Sequence, residues 1–258
     1  MKIVASIQVR MNSSRLKGKA LKKICGKTSL EWVIESVKKS KYVDDLIVAT
    51  TVDKTDDELV SFLDEIGVKY FRGDIENVGE RLFKSAKELN ADYVARIVGD
   101  HPLNSYELLD FLIEKHLEES NDFTSVNRDN IAVGILSEVI SMNAFEKLMN
   151  SSLDFSQSEY LTFFFLNNEH FFKIGLYDAP EYLQSSNYRL TLDYIEDFQF
   201  INEIIKTLQE ENKAINHTNV LMTVSNNPSM LKLNSSFKQK FQDKELLEII
   251  RKASTIKI

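Results

Sequence analysis

Ile3-Val4-Ala5-Ser6-Ile7-Gln8-Val9-Arg10-Met11-Asn12-Ser13-Ser14-Arg15-Leu16-Lys17-Gly18-Lys19 sets an apolar run directly ahead of four cations and two adjacent serines. The run Ile3–Ile7 is short and rich in β-branched residues, which predicts a buried strand with a polar loop at its carboxyl end. The same rhythm recurs outward from it. Leu46–Thr51, Val68–Phe71 and Tyr93–Val98 read as further strands, and Leu30–Lys39, Asp56–Ile66 and Val78–Leu89 as helices with apolar residues three and four apart. Asp56 and Asp57 load acid into the first turn of the second helix, as the helix dipole favours. Strand, helix, strand with short loops predicts an α/β fold: a mostly parallel, Rossmann-like sheet with helices on both faces.

After Asp100 the rhythm changes. Tyr106–Glu118 is another amphipathic helix, and Asp122–Ser141 reads as short strands around Asn127–Asn130 and Gly134. Helical patterns at Asn143–Asn150 and Gln157–Asn167 follow, then strand-like Phe172–Tyr177 and Arg189–Leu192, and a helix at Asp197–Glu210. The expected organisation is a single domain over 1–258, with 122–188 as an inserted α+β region forming a second wall of the site. The stretch from Val220 onward is polar with helical patches and carries no legible role.

Composition narrows the function classes. The 258 residues carry 32 basic and 39 acidic side chains, a net charge of −7, which argues against a general nucleic-acid binder. Cys25 is the single cysteine, so neither an intramolecular disulfide nor zinc-finger spacing exists. The stretch before Arg10 is too short and too soon charged for a signal peptide, and no 18 apolar residues run together, so the expectation is a cytoplasmic protein without a membrane span.

Ligands of open α/β sheets bind beyond the carboxyl ends of the strands. Arg10, Arg15, Lys17 and Lys19 stand there, and forked guanidinium groups match phosphate oxygens, so the loop suits a polyphosphate; a solvated basic loop is the competing reading. Gly26-Lys27-Thr28 only imitates the end of a P-loop, because Leu21 stands where its first glycine belongs. No G-x-G-x-x-G occurs, and with eight glycines in the chain, side chains must carry phosphate binding. Arg96-Ile-Val-Gly-Asp-His-Pro102 ends the fourth strand, where Gly99 would allow close approach of a ligand and Asp100 suits Mg²⁺ beside a polyphosphate. Arg189-Leu-Thr-Leu-Asp193 offers a second strand-end carboxylate, with Glu196 and Asp197 in the next helix's first turn. For both Asp100 and Asp193, capping of the following helix is the alternative.

Together these pieces resemble the spore coat polysaccharide biosynthesis protein F group of the cytidylyltransferases, related to acylneuraminate and 3-deoxy-manno-octulosonate cytidylyltransferases. The matching residues are Gln8-Val9-Arg10-Met11, Ser13-Ser14-Arg15-Leu16, Gly18-Lys19, Val48-Ala-Thr-Thr51 and Phe71-Arg-Gly73. They continue with Arg96-Ile-Val-Gly-Asp100, Pro102-Leu103, Arg189-Leu-Thr-Leu-Asp193 and Glu196-Asp197, so that the likeness covers about residues 1–205. Lys17, Asn12 and Val9 replace the proline, glycine and alanine usual in the group, and Tyr160 stands where a histidine is expected.

The resemblance implies a Mg²⁺-dependent nucleotidyltransferase that moves CMP from CTP to a sugar acid of the nonulosonic or octulosonic type, releasing pyrophosphate, for surface polysaccharide or glycan synthesis. Arg10, Ser13, Ser14, Arg15, Lys19 and Arg96 would meet the nucleotide, with Lys19, Arg10 and Asp100 as catalytic residues. Asp100 and Asp193 would hold Mg²⁺, and Arg189 would meet an acidic acceptor. The alternatives are a CDP-linked product from a phosphorylated sugar or polyol, or a glycosyltransferase of related architecture; the latter usually carries Asp-x-Asp where this chain has Gly99-Asp100-His101. Relatives pair through the inserted region, which implies a homodimer.

Overall fold

In a computed structural model describing residues 1–185, 188–234 and 243–256, the first strand, β1 (Ile3–Gln8), runs through the middle of a seven-stranded sheet. A small ribbon, β2 (Lys23–Ile24) and β3 (Lys27–Thr28), leads into α1 (Ser29–Val37), β4 (Asp45–Thr51), α2 (Asp57–Glu65), β5 (Tyr70–Gly73), α3 (Val78–Glu88), β6 (Tyr93–Val98) and α4 (Tyr106–Glu119). The chain continues through β7 (Phe123–Val126), β8 (Ser137–Ser141), α5 (Met142–Met149), α6 (Leu161–Leu166), β9 (Ile174–Tyr177), α7 (Ile195–Glu210), α8 (His217–Asn226) and α9 (Lys244–Ser254). The sheet order is β5-β4-β1-β6-β8-β7-β9, parallel throughout except for β8, which runs against β6 and β7.

Alternation along the strands feeds two cores, one on each face. Ile3, Ala5, Ile7, Ala95, Ile97 and Val139 pack with α1, α4 and α7, whereas Ala49, Val94, Phe123 and Ile140 pack with α3, α5 and α6. A parallel sheet covered on both faces is what near-continuous apolar strands require. Among the described residues no helix is long and apolar enough to cross a membrane.

Three segments differ from the sequence reading, and a fourth adds a turn to it. The third strand starts at Tyr70, not Val68, because the Val68 N–H still closes the end of α2 on the Leu63 carbonyl at 2.9 Å. Arg189–Leu192 is no strand: Val133 and Arg189 form one isolated bridge, and the Leu192 N–H reaches the Asp100 carbonyl at 2.8 Å. Gln157–Asn167 is a 3₁₀ turn over Phe155–Tyr160 before α6, since Arg96 claims the Glu159 carbonyl that an α-helix would use. Gly26 turns the ribbon: Cys25 and Gly26 have φ of 47° and 92°, the positive pair of a two-residue hairpin. Residues 122–188 supply β7, β8 and β9 to the main sheet and lay the Phe155–Leu166 stretch beside the carboxyl ends of β1 and β6.

Candidate active site

The strand order reverses between β1 and β6, which pair in parallel with Gln8 opposite Val98. A crevice opens at such a point because the connections leave in opposite directions. Gly99 fits the two loops together there: a Cβ on it would lie 2.7 Å from Val9 Cβ and 2.9 Å from the Gln8 carbonyl oxygen. The close approach foreseen for Gly99 is thus to the neighbouring strand end.

The cleft beyond these strand ends is lined by Arg10, Ser13, Ser14, Arg15 and Lys19 from one loop, with Asp100 opposite. Met11 organises the loop: its carbonyl accepts the Ser13 N–H at 2.9 Å and the Gly18 N–H at 3.2 Å. Gly18 has φ of +65°, which closes the turn and returns Lys19 to the cleft. The Ser13 hydroxyl accepts the Leu16 N–H at 3.4 Å, so this serine shapes the loop. Lys17 is exposed and lies outside the cleft lining.

Lys19 Nζ donates to Asp100 Oδ2 at 2.5 Å and to Asp193 Oδ1 at 2.9 Å, which joins carboxylates 93 positions apart in the chain. Arg15 reaches the same Asp193 oxygen at 2.6 Å, and Arg189 takes Asp193 Oδ2 at 2.8 Å. Burial lowers the pKa of an ammonium, but the two facing carboxylates outweigh it and hold Lys19 above its usual value. Burial likewise works against ionised Asp100, yet Lys19, His101 and Arg15 keep this carboxyl below the ordinary range. At neutral pH the cleft floor therefore pairs a charged lysine with a charged carboxylate.

Neither carboxylate caps a helix. Ser105 caps α4 by accepting the Leu108 N–H, and Asp197 reaches back to accept the Asp193 and Tyr194 N–H groups at 2.9 and 3.0 Å. Asp197, fully buried, also holds Arg189 at 2.9 Å and Asn234 at 3.0 Å, so the Asp193 backbone is fixed while its side chain faces Lys19. The pair suits a divalent cation. Asp100 Oδ1 is buried without a hydrogen-bond partner, and Mg²⁺ takes one or two carboxylates when phosphate and water complete its shell.

A cytidylyltransferase family model matches residues 4–226. The chain belongs to the cytidylyltransferase family. It is 38% identical over 240 residues to an uncharacterized protein of Methanocaldococcus jannaschii, covering 93% of this chain and 97% of that one. It is 29% identical over 231 residues to the spore coat polysaccharide biosynthesis protein SpsF of Bacillus subtilis, covering 88% and 95%. The solved structure of a cytidylyltransferase from Leptospira borgpetersenii superposes with a TM-score of 0.82 at 27% identity, over 93% of this chain and all of that one.

In this cytidylyltransferase the remaining arginines take different places. Arg96 is 5% exposed and donates to Gln8 Oε1 at 2.9 Å, Glu138 Oε2 at 2.6 Å and the Glu159 carbonyl at 2.9 Å, so it lies beneath the cleft and ties its walls together. Arg189 commits its guanidinium to Asp193 and Asp197. Arg10 is the most exposed of the loop's cleft-lining cations and meets Glu159 at 3.5 Å. Two charged lining residues escaped the sequence reading, Arg81 and Glu159. Arg81 shares the buried face of α3 with Val78, Leu82 and Ala86, and burial beside Arg10 brings its guanidinium down to about 10. A cation at an apolar position of an amphipathic helix was its signal. Glu159 left none, because its position depends on the 3₁₀ turn.

Proposed function

We propose that the protein transfers CMP from CTP to a sugar acid of the nonulosonic or octulosonic type, in the service of surface polysaccharide or glycan synthesis. The observation that carries this reading is the convergence of Arg10, Arg15 and Lys19 with Asp100 and Asp193 at the sheet's switch point. Arg10, Arg15 and Lys19 bind the triphosphate, and Ser13 and Ser14 shape the loop around it. An acceptor oxygen attacks the α-phosphorus in line. The new P–O bond forms as the bond to the bridging oxygen breaks, pyrophosphate departs with the electron pair, and the acceptor's proton passes to water. Positioning and charge neutralisation do this work, with no nucleophilic side chain. Asp100 and Asp193 would hold Mg²⁺, which supplies further neutralisation at the phosphate oxygens.

The sugar-acid acceptor rests on the motifs shared with acylneuraminate and octulosonate cytidylyltransferases. Arg189 enters as the residue that orients Asp193; contact with an acceptor carboxylate would require it to release that partner. Residues 122–188 form the acceptor wall in this reading and the contact of a homodimer, which sedimentation at micromolar concentration checks.

The deciding experiment incubates the protein with Mg²⁺, each nucleoside triphosphate and each acceptor class, and identifies products by mass. A CMP–sugar acid is expected. A CDP-linked product moves the assignment to a phosphorylated sugar or polyol, and turnover only with ATP, GTP or UTP overturns it. Asp100→Asn and Asp193→Asn should each abolish Mg²⁺-dependent turnover in protein that circular dichroism shows to be folded at the assay temperature. An active Asp100→Asn protein would remove that carboxylate from the site.

A further inference from the structure

Asp56 ends the 3₁₀ turn Lys54–Asp56 directly ahead of α2, and no part of it reaches solvent. Its position suits the helix-start role assigned from sequence, yet its side chain makes no capping bond to α2. Instead Oδ1 accepts the Met11 N–H at 2.7 Å. Oδ2 accepts the Thr50 hydroxyl at 2.8 Å, the Thr51 N–H at 3.0 Å and the Thr51 hydroxyl. Three of these four donors are local, and Met11 is the long-range one, 45 positions away.

Met11 is also where the cation loop closes on itself, through its carbonyl and the N–H groups of Ser13 and Gly18. One face of the Met11 residue thus gathers the loop, and the other hangs it from a buried carboxylate in the turn between β4 and α2. The turn that carries Asp56 has a separate brace: Arg72 donates to the Thr51 and Asp53 carbonyls at 2.8 Å each and pairs with Asp57 at 2.7 Å. Arg10, Arg15 and Lys19 repel one another, and a loop of like charges beside an open cleft needs an anchor to hold a fixed geometry before ligand arrives.

We propose that Asp56 is the positioning residue for the triphosphate loop, acting through the Met11 amide and touching no substrate. This rests on the reading of that loop as the nucleotide's phosphate site. A buried carboxylate accepting a backbone N–H makes a charge-assisted bond, stronger than a neutral one and sensitive to loss of the charge. Its contribution to function is pre-organisation, so removing it weakens nucleotide binding beyond what lost stability accounts for.

The test compares full-length Asp56→Asn and Asp56→Ala with Thr50→Val, which deletes a donor to Oδ2 and leaves the Oδ1–Met11 bond intact. Three quantities are read: melting temperature, hydrogen exchange at the Met11 amide, and CTP affinity in Mg²⁺ by calorimetry. Both Asp56 variants should speed Met11 exchange and weaken CTP binding by roughly ten- to a hundredfold. Thr50→Val should lower the melting temperature but keep CTP affinity within about twofold of wild type, as expected when only a local donor is lost. Should the Asp56 variants fail to fold, an amide-to-ester replacement at residue 11 deletes the donor alone and should give the same loss of affinity. The proposal is overturned if Asp56→Asn or the ester binds CTP like wild type, or if Thr50→Val weakens CTP as much as Asp56→Asn. Wild-type protein that binds no CTP in the same titration would instead overturn the phosphate-site reading on which the proposal stands.

Discussion

Two groups of arginines and carboxylates flank the cleft, and they are built to opposite ends. Around Asp193, three cations (Arg15, Lys19 and Arg189) crowd one carboxylate, and neighbouring Asp100 keeps an oxygen without a hydrogen-bond partner. Around Arg96 each guanidinium nitrogen has a partner, among Gln8, Glu138, Thr162 and the Glu159 carbonyl, and Arg128 adds a second cation on Glu138 and Thr162. The first group meets the cleft with charges that an anion and a cation can draw apart. The second is sealed, with Glu138 only 1% exposed, and fixes the wall that carries Glu159. On the proposed function, similar side chains serve binding where their pairing is exchangeable and architecture where it is closed.

The sharpest way to break this contrast is Glu138→Ala. It strands Arg96 in the interior, and removing one partner of a buried ion pair costs about 3–5 kcal/mol. Denaturant unfolding should record that loss, with activity falling only as the folded fraction falls. A melting temperature equal to wild type would show that the sealed group is not structural.

Acid supplies a further comparison, at two histidines that belong to neither group. His116 and His217 are buried, and burial lowers each to about 4 from an ordinary 6.5. Both are neutral in the folded chain and take a proton more readily when unfolded. Their stabilisation is therefore complete above pH 6.5 and is lost as pH falls from 6.5 toward 4, by at most roughly 3 kcal/mol each. Unfolding followed at pH 7, 6 and 5 should show the decline, and His116→Gln should flatten part of it. A stability that stays level down to pH 5 would argue that these imidazoles are not held neutral.

The smallest effect sharpens the contrast most. On the proposed reading, Lys19→Met removes a charge-assisted contact to phosphate worth about 1.5–3 kcal/mol and should weaken CTP by roughly ten- to a hundredfold, measured where the variant is fully folded. In the same variant, Asp100 and Asp193 lose the ammonium that sits between them. Mn²⁺ titrated without nucleotide, followed by electron paramagnetic resonance, should then bind more tightly than to wild type. Unchanged Mn²⁺ binding would mean that Lys19 does not compete for these carboxylates.

Strand and helix identities in the first hundred residues were legible, because burial on one face of a helix or both faces of a sheet writes a period into the sequence. The density of charge after Ile7 and the carboxylate ending β6 at Asp100 were legible too, since residue type and a buried strand's end are local facts, whereas Asp193 sits on an irregular segment that the sequence presented as a strand. Charge partnerships were not. Lys19 lies 81 positions from Asp100 and 174 from Asp193, and Met11 lies 45 from Asp56. No periodicity reports which strand end is folded next to which. Arg96 shows this most clearly: its motif pointed to the nucleotide, while the fold surrounds it with Gln8, Glu138 and the Glu159 carbonyl. The sequence by itself determined the layers and the inventory of charge at the sheet's carboxyl edge. Only the tertiary structure decided which charges stay exchangeable, because that depends on how many donors and acceptors packing brings within hydrogen-bond distance of each.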